Sequence, residues 1–286
     1  MTNSTNCNNS LKLNYNVQLI QVIIYATIFP FGAIFNVLAL WVFCCKLKKW
    51  TETRVYMINL VIADCSVVCS LPFTIYFIWN DWHRDTLCLT IQSIYLINMS
   101  MSIYIITVIS IDRYIAIKYP VKAKSLRSPL KAALICGLLW VSTITGVNIK
   151  QERSEPFILG FFIPLVILSF CSIQVIRCLK MKNNMSPPEE TSVQKALWIV
   201  SMNLSVFIIC FLPFNVGLLV RYAMDATGAA CSLRNNASLF IRVAAWVANS
   251  NCCLDTLCYY FVAKEFQEAS SLLPPFKSLK SRSNES

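Results

Sequence analysis

The chain has 286 residues, of which 56% are apolar and only 14% charged, and its formal net charge is +11. Soluble domains carry roughly 45–50% apolar and about 25% charged residues, so this composition, with a mean hydropathy of +0.57, points to a membrane protein. It argues against nucleic-acid binding, which needs a water-exposed basic face on a soluble domain.

Residues 1–16 read as an extracellular tail. Met1 to Ser10 is polar and uncharged and lacks the basic region and short apolar core of a cleaved signal, so the first helix is expected to act as its own insertion signal. Asn3 in Asn-Ser-Thr and Asn8 in Asn-Asn-Ser are glycosylation acceptors if that tail is outside. Such triplets also arise by chance, and Asn98 and Asn203 sit in equivalent ones inside apolar segments.

Spanning a bilayer takes about 20 apolar residues. Seven stretches meet that length, at about 17–44, 55–79, 87–117, 130–149, 157–179, 196–222 and 239–262. The expected fold is an all-α membrane protein, a seven-transmembrane helix bundle over 17–263. A short amphipathic cytoplasmic eighth helix is expected from Lys264, followed to residue 286 by a Ser/Lys-rich tail too polar to pack a core. The connections are short: a basic turn at 46–53, and a polar turn at 80–86 holding His83, the one histidine. A proline- and lysine-bearing stretch follows at 119–129, then a polar linker at 181–192 with Pro187-Pro188, and a last loop at 225–236. Pro72, Pro164 and Pro213 fall inside helices, where each removes a backbone hydrogen bond and supplies a kink. Most of the 25 Lys and Arg residues lie in alternate connections that include 46–53, 113–131, 177–195 and 264–282. The positive-inside rule then puts the N-terminus outside and the C-terminus in the cytosol.

Within the third span, Asp112-Arg113-Tyr114 sets an acid beside an arginine where the helix meets water. An arginine cannot shed its proton, and leaving it bare near hydrocarbon costs about 2.5–3.5 kcal/mol on insertion scales. Asp112 offsets that locally. Alone, the triplet marks a helix end. Asp64 and Asp255 are the carboxylates deepest in apolar sequence, and two such groups do not both stay ionised without a partner.

Several features occur in one order along almost the whole chain. They are Asn36 in Phe-Asn-Val, Asp64 in Asn-Leu-Val-Ile-Ala-Asp, Cys88, Asp112-Arg113-Tyr114, Trp140, Pro164, Cys210-Phe211-Leu212-Pro213 and Asp255-Thr256-Leu257-Cys258-Tyr259. In this the chain resembles the class A (rhodopsin-like) G-protein-coupled receptors. The runs Trp41-Val42-Phe43-Cys44-Cys45, Trp50-Thr51-Glu52-Thr53-Arg54 and Asn251-Cys252-Cys253-Leu254-Asp255 are similar to a branch of that family linked to kynurenic acid and lysophosphatidic acid. The resemblance implies a plasma-membrane receptor rather than an enzyme. Such a receptor has no catalytic residues and no cofactor, binds an extracellular small ligand, and has heterotrimeric G proteins and arrestin as partners beside the lipid bilayer.

The same resemblance assigns roles. Asn36, Asp64, Asn98, Ser102, Asn251 and Asp255 fall where the family holds an allosteric sodium ion, and carboxylate, amide and hydroxyl oxygens suit a hard cation. A proton shared in a polar network is the alternative. Arg113 is expected to pair with Asp112 at rest, beside Tyr114. It would turn to a G-protein helix when the sixth helix swings about Pro213, with Tyr259 filling the vacated space. Ile103, Pro164, Phe207 and Phe211 match the packing cluster that links the two ends. Gln92, Tyr95, Met99, Lys150, Arg221 and Arg242 belong to the outer third. There the three bases either snorkel to the interface or converge on the carboxylate or phosphate of a small anionic ligand, an acceptor that arginine suits.

Departures from the pattern are informative. Met99 stands where this branch has an arginine, Phe211 where most relatives have tryptophan, Thr256 where a proline is usual and Ser172 where many have tyrosine. Only residues 151–155 separate Lys150 from Pro156, and no cysteine lies between Cys136 and Cys171. The loop cysteine that the family joins to Cys88 is therefore missing, whereas Cys7 and Cys231 are in place for a second bridge from tail to last loop. A loop-deleted, poorly signalling receptor product is accordingly a second reading. A transporter fits less well, since inverted repeats and broken helices are not evident. Cys44 and Cys45 are open to acylation at the inner face or to simple packing.

Overall fold

A computed structural model describes residues 15–47, 50–80, 86–153, 159–180, 198 and 200–255. Among them every regular element is helical. Helix α1, Tyr15–Trp41, runs on into a π turn at Val42–Lys46. It is followed by α2 Glu52–Trp79, α3 Thr86–Lys118, α4 Pro120–Leu126, α5 Pro129–Arg153 and α6 Leu159–Lys180. Helix α7 spans Val200–Ala226, and α8 covers Cys231–Asn249. After a turn at Ser250 the chain is helical again over 251–255. Asn3, Cys7, Asn8, Tyr259, the expected helix at 264–269 and the side chain of Lys150 lie outside the described residues.

Six helices, α1 with its π turn, α2, α3, α5, α6 and α7, are long and apolar enough to cross a membrane. Helix α8 carries Ser232, Arg234, Asn235 and Asn236 in its first turns and is therefore less apolar than these six. Helix α3 is the centre of the bundle. It packs on α2, α5 and α6 and reaches α7 and α8, which is why its buried residues, among them Ile91, Met101, Ile105, Ile106 and Ile109, surround its axis. Helix α5 is peripheral and buries one stripe, Ala132, Cys136, Thr143 and Val147, at helical spacing, while Leu130, Leu134, Leu138 and Val141 face outward. Lipid tails are as apolar as leucine, so that outer face is stable as it stands. Between helices, close approach and hydrogen bonds do the fixing. A Cβ on Gly32 would sit 2.8 Å from Val68 Cγ2, so α1 and α2 meet there only because the residue is glycine. Trp140 Nε1 donates to Asn59 Oδ1 at 3.1 Å, tying α5 to α2.

The structure corrects several sequence boundaries. The stretch 119–129 contains α4, which begins at Pro120, where the missing N–H is not needed. Helix α5 continues to Arg153, absorbing most of the short connection at 151–155. The last loop ends earlier than expected. Gly228, at φ 66°, turns the chain in the left-handed region that glycine tolerates, and α8 starts at Cys231. Pro30 adds an interior proline in α1 that the sequence reading passed over. Immediately before Pro213, α7 widens into a π turn at Phe207–Phe211, which accommodates a ring that would otherwise press on the preceding turn.

Candidate functional site

At the Arg113 end of the bundle, four consecutive residues at the start of α2 do four jobs. Thr51 caps the helix by accepting from Arg54 N at 3.3 Å. Arg54, 2% exposed, donates to Leu47 O at 2.9 Å and stacks on Trp50, its guanidinium carbon 4.0 Å from the ring centre. Thr53 Oγ1 accepts a hydrogen bond from Arg113 Nη2. Glu52 Oε2 lies 3.4 Å from Arg127 Nη2. Arg127, just past α4, clasps Asp112 with two bonds, Nε to Oδ1 at 2.8 Å and Nη2 to Oδ2 at 3.0 Å. Arg113 Nη2 approaches Asp112 Oδ2 only to 3.8 Å. The expected pair is therefore present but loose. The tight partner of Asp112 is Arg127, and that of Arg113 is Thr53. Burial works against the Arg127 charge, but its hydrogen bonds to Asp112 and the nearby Asp112 and Glu52 carboxylates outweigh this and hold its pKa above the ordinary value. Tyr114 packs against Val175 and Val200, joining α3 to α6 and α7.

Midway through the bundle, Asn36, Asp64, Asn98, Ser102, Asn251 and Asp255 are all at most 2% exposed. Asn98 Nδ2 donates to Asp64 Oδ1 at 3.0 Å, and Asn251 Nδ2 to Ser102 Oγ at 3.1 Å and Asp255 Oδ2 at 3.5 Å. Asn36 Nδ2 bonds Gly32 O and Cys252 O, both at 2.9 Å. The oxygens Asn36 Oδ1 and Asn251 Oδ1 are buried without a hydrogen-bond partner. Orphaned acceptors beside two carboxylates are what a hard cation would occupy, so the donor set fits sodium.

Next to this layer in sequence, Ile103 shares one core cluster with Phe207 and Phe211, and Pro164 is buried in α6. Phe161 completes the cluster by stacking on Phe207 with ring centres 5.2 Å apart. The sequence reading missed Phe161, Arg127, Glu52 and Thr53. Of these only Glu52 and Thr53 carried a signal, as part of a run that marked the branch.

At the other end, Tyr95 Oη and Thr74 Oγ1 are 2.9 Å apart, and Gln92 is exposed. Met99 lines a cavity of about 30 Å³ with Tyr104, Thr143, Phe161 and Asn215, between α3, α5, α6 and α7. Arg221 is engaged by its own neighbourhood: Nε donates to Asp225 Oδ2 at 3.0 Å, and Nη1 to Arg234 O at 2.6 Å and Ser238 Oγ at 3.0 Å. Arg242 is exposed. Of the three candidate bases, Arg221 is thus held within its own neighbourhood, Arg242 faces outward, and the side chain of Lys150 lies outside the described residues. Cys88 is a buried thiol, and Cys231 is disulfide-bonded; its expected partner, Cys7, lies outside the described residues.

The comparisons with known proteins agree with this geometry. The model of the 7 transmembrane receptor (rhodopsin family) matches residues 35–149 and 154–259, breaking where the outer connection is short. G-protein coupled receptor 35 of Mus musculus is 39% identical over 287 residues, 94% of this chain and 93% of the relative. Its Homo sapiens counterpart is 40% identical, covering 88% and 87% of the two chains. Lysophosphatidic acid receptor 4 of Homo sapiens is 30% identical, covering 86% and 75%. Members of this family are receptors for small ligands rather than enzymes. A helical membrane bundle, the ordered motifs and these matches together establish that the chain belongs to the rhodopsin-like family of seven-transmembrane, G-protein-coupled receptors.

Proposed function

We propose that this receptor lies in the plasma membrane with its N-terminus outside and its C-terminus in the cytosol. It binds a small anionic metabolite or lipid and activates heterotrimeric G proteins, with arrestin as a further cytosolic partner. Residues 1–16 are the outer tail, bearing glycans at Asn3 and Asn8 and bridged from Cys7 to Cys231. Residues 17–263 are the bundle, and 264–286 are the cytoplasmic helix and tail. The observation that carries the reading is the Arg113 end itself, where Thr53 holds Arg113 and Arg127 holds Asp112. That is a closed state with a defined way to open. When α7 pivots at the π turn before Pro213, Arg113 leaves Thr53 and faces a groove able to take a helix of the G protein. Tyr259 refills the space.

Magnitudes are consistent. Driving a two-state switch from mostly closed to mostly open takes about 5.5 kcal/mol of differential ligand affinity, and each charge-assisted hydrogen bond holding the closed form contributes about 1.5–3 kcal/mol. A sodium ion held by Asp64, Asp255, Asn36, Asn98, Ser102 and Asn251 would offset one of the two carboxylate charges, ease the repulsion between them and stabilise that closed form. A shared proton supports the observed geometry less well, because it leaves the Asn36 and Asn251 amide oxygens unserved. For the ligand, Lys150 and Arg242 are the bases assigned to its acid group, with Gln92, Tyr95 and Met99 completing the pocket. The lysophosphatidic acid named for one relative is an anionic lipid of the proposed kind.

The test is GTP loading on a panel of Gα subunits by full-length receptor in lipid nanodiscs, with lysophosphatidic acid and small carboxylic acids as probes. Acceleration that disappears in Arg113→Gln, at unchanged surface level, supports the reading. A correctly inserted receptor that accelerates no Gα with any probe overturns it. The break in the family match after residue 149 favours one second reading, a loop-shortened product that signals poorly. Normal surface expression with exchange restored by inserting a cysteine-bearing segment after Lys150 would establish that one instead.

A further inference from the structure

The sequence leaves two roles open for the vicinal thiols after Trp41, and the structure decides between them. Phe43 is fully buried and packs with Ala39, Val55, Tyr56 and Leu60. Its neighbours Cys44 and Cys45 are both exposed. Thiols are among the most buried of side chains when they serve as filler, as Cys136, Cys171 and Cys210 do here. Two adjacent thiols on the outward side of a helix end are therefore not packing residues.

Depth says what they face. Helix α1 and its π turn make one span of 32 residues, about 48 Å at 1.5 Å per residue, against roughly 30 Å of hydrocarbon. The end of the run must emerge into the headgroup layer. Trp41 and Trp50, at 49% and 61% exposure, stand where interfacial tryptophans belong. Lys46 Nζ lies 4.7 Å from the Trp41 ring centre, a cation of the kind that anionic headgroups attract. A strip of exposed apolar side chains, Ile34, Val37 and Leu38, runs from there along α1 into the bilayer. Cys69, also exposed, is about 25 Å along α2 from its Glu52 end, beyond reach of that surface.

We propose that Cys44 and Cys45 form a paired S-acylation site for a long-chain fatty acyl group. This rests on the orientation given above, with the π turn on the cytosolic side. The deprotonated sulfur of either cysteine attacks the carbonyl carbon of a fatty acyl thioester. The new C–S bond forms as the donor's own C–S bond breaks, and the donor leaves as a thiol carrying the proton. The chain then lies along Ile34, Val37 and Leu38 in the inner leaflet. It pins the turn in which Arg54 bonds Leu47 O, two residues from Glu52 and its contact to Arg127.

The full-length receptor is expressed in mammalian cells, its thiols are blocked, thioesters are cleaved with neutral hydroxylamine, and the released thiols are tagged with a polyethylene glycol maleimide. One or two hydroxylamine-dependent mass tags are expected in the wild type and in C69S, one fewer at most in C44S and in C45S, and loss of both in C44S/C45S. Mass spectrometry of the wild-type peptide holding Trp41 to Lys46 reads the adduct directly, so the result does not depend on the variants folding. A glycosidase-sensitive tail together with unmodified thiols in that peptide overturns the site and leaves the orientation standing. Labelling of both thiols by a membrane-impermeant maleimide on intact cells overturns the site and the orientation together.

Discussion

The two ends of the bundle both carry charge clusters built on an aspartate between two arginines, and they differ in what those clusters connect. At the Arg113 end, Asp112 and Glu52 meet Arg113 and Arg127, drawing together the start of α2, the end of α3 and the segment after α4. The Arg113–Thr53 contact joins residues 60 apart in sequence. At the Arg221 end, Asp225 meets Arg221 and Arg234, all within α7, α8 and the turn between them. A contact between distant segments is made or broken by the arrangement of the whole bundle. A contact between neighbours along the chain survives most rearrangements. The first cluster can therefore report and control a global state, whereas the second staples one connection.

The sharpest way to break that comparison is Arg127→Ala. It removes two short bonds to Asp112 and the contact to Glu52. With charged hydrogen bonds contributing about 1.5–3 kcal/mol each, and 1.4 kcal/mol equal to a factor of ten, ligand-free nucleotide exchange is expected to rise roughly tenfold or more. Arg127→Lys should fall between, because an ammonium does not bind two carboxylate oxygens side by side. Exchange at the wild-type basal rate in Arg127→Ala would mean that the clasp does not hold the closed state. A smaller effect comes from the middle of the bundle. Replacing sodium by choline should raise basal exchange on the order of fivefold in the wild type, by removing a ligand of the closed form, and leave Asp64→Asn unchanged. Equal sodium dependence in both proteins would return the Asp64–Asp255 network to a shared proton.

These predictions lean on residues of unequal legibility. The membrane bundle was readable because hydrocarbon demands about 20 apolar residues per crossing, a signal that survives any tertiary detail. Helix ends were not, because a helix outlasts its apolar run. Gln151 to Arg153 and the polar first turn of α8 are helical although their composition reads as loop. Helix α4 has only seven residues and no apolar stripe to announce it. Asp112 and Arg113 stood out because charge next to hydrocarbon needs a reason. Arg127 and Thr53 did not, since a basic loop residue and a threonine in a first turn are ordinary until the fold carries them across 15 and 60 residues to the same place. Phe161 was hidden for a similar reason: within an apolar helix, periodicity does not say which aromatic will stack on which.

The least change is expected from Arg221→Ala, and that makes it the most discriminating control. By sequence alone Arg221 is a candidate for the ligand's acid group, and its loss should then lower acidic-agonist potency by tenfold or more. In the structure its Nε bonds Asp225, and its Nη1 is shared between Arg234 O and Ser238 Oγ. The side chain is 29% exposed, and an ion pair in that setting contributes modestly. Removing it also leaves Arg234 beside Asp225 at 3.5 Å, so the carboxylate keeps a partner and the turn keeps its staple. Potency of lysophosphatidic acid in the exchange assay should therefore move less than twofold, with a melting temperature close to that of the wild type. A tenfold loss of potency at unchanged expression would mean that the guanidinium leaves Asp225 for the ligand, and that the Arg221 end switches as the Arg113 end does.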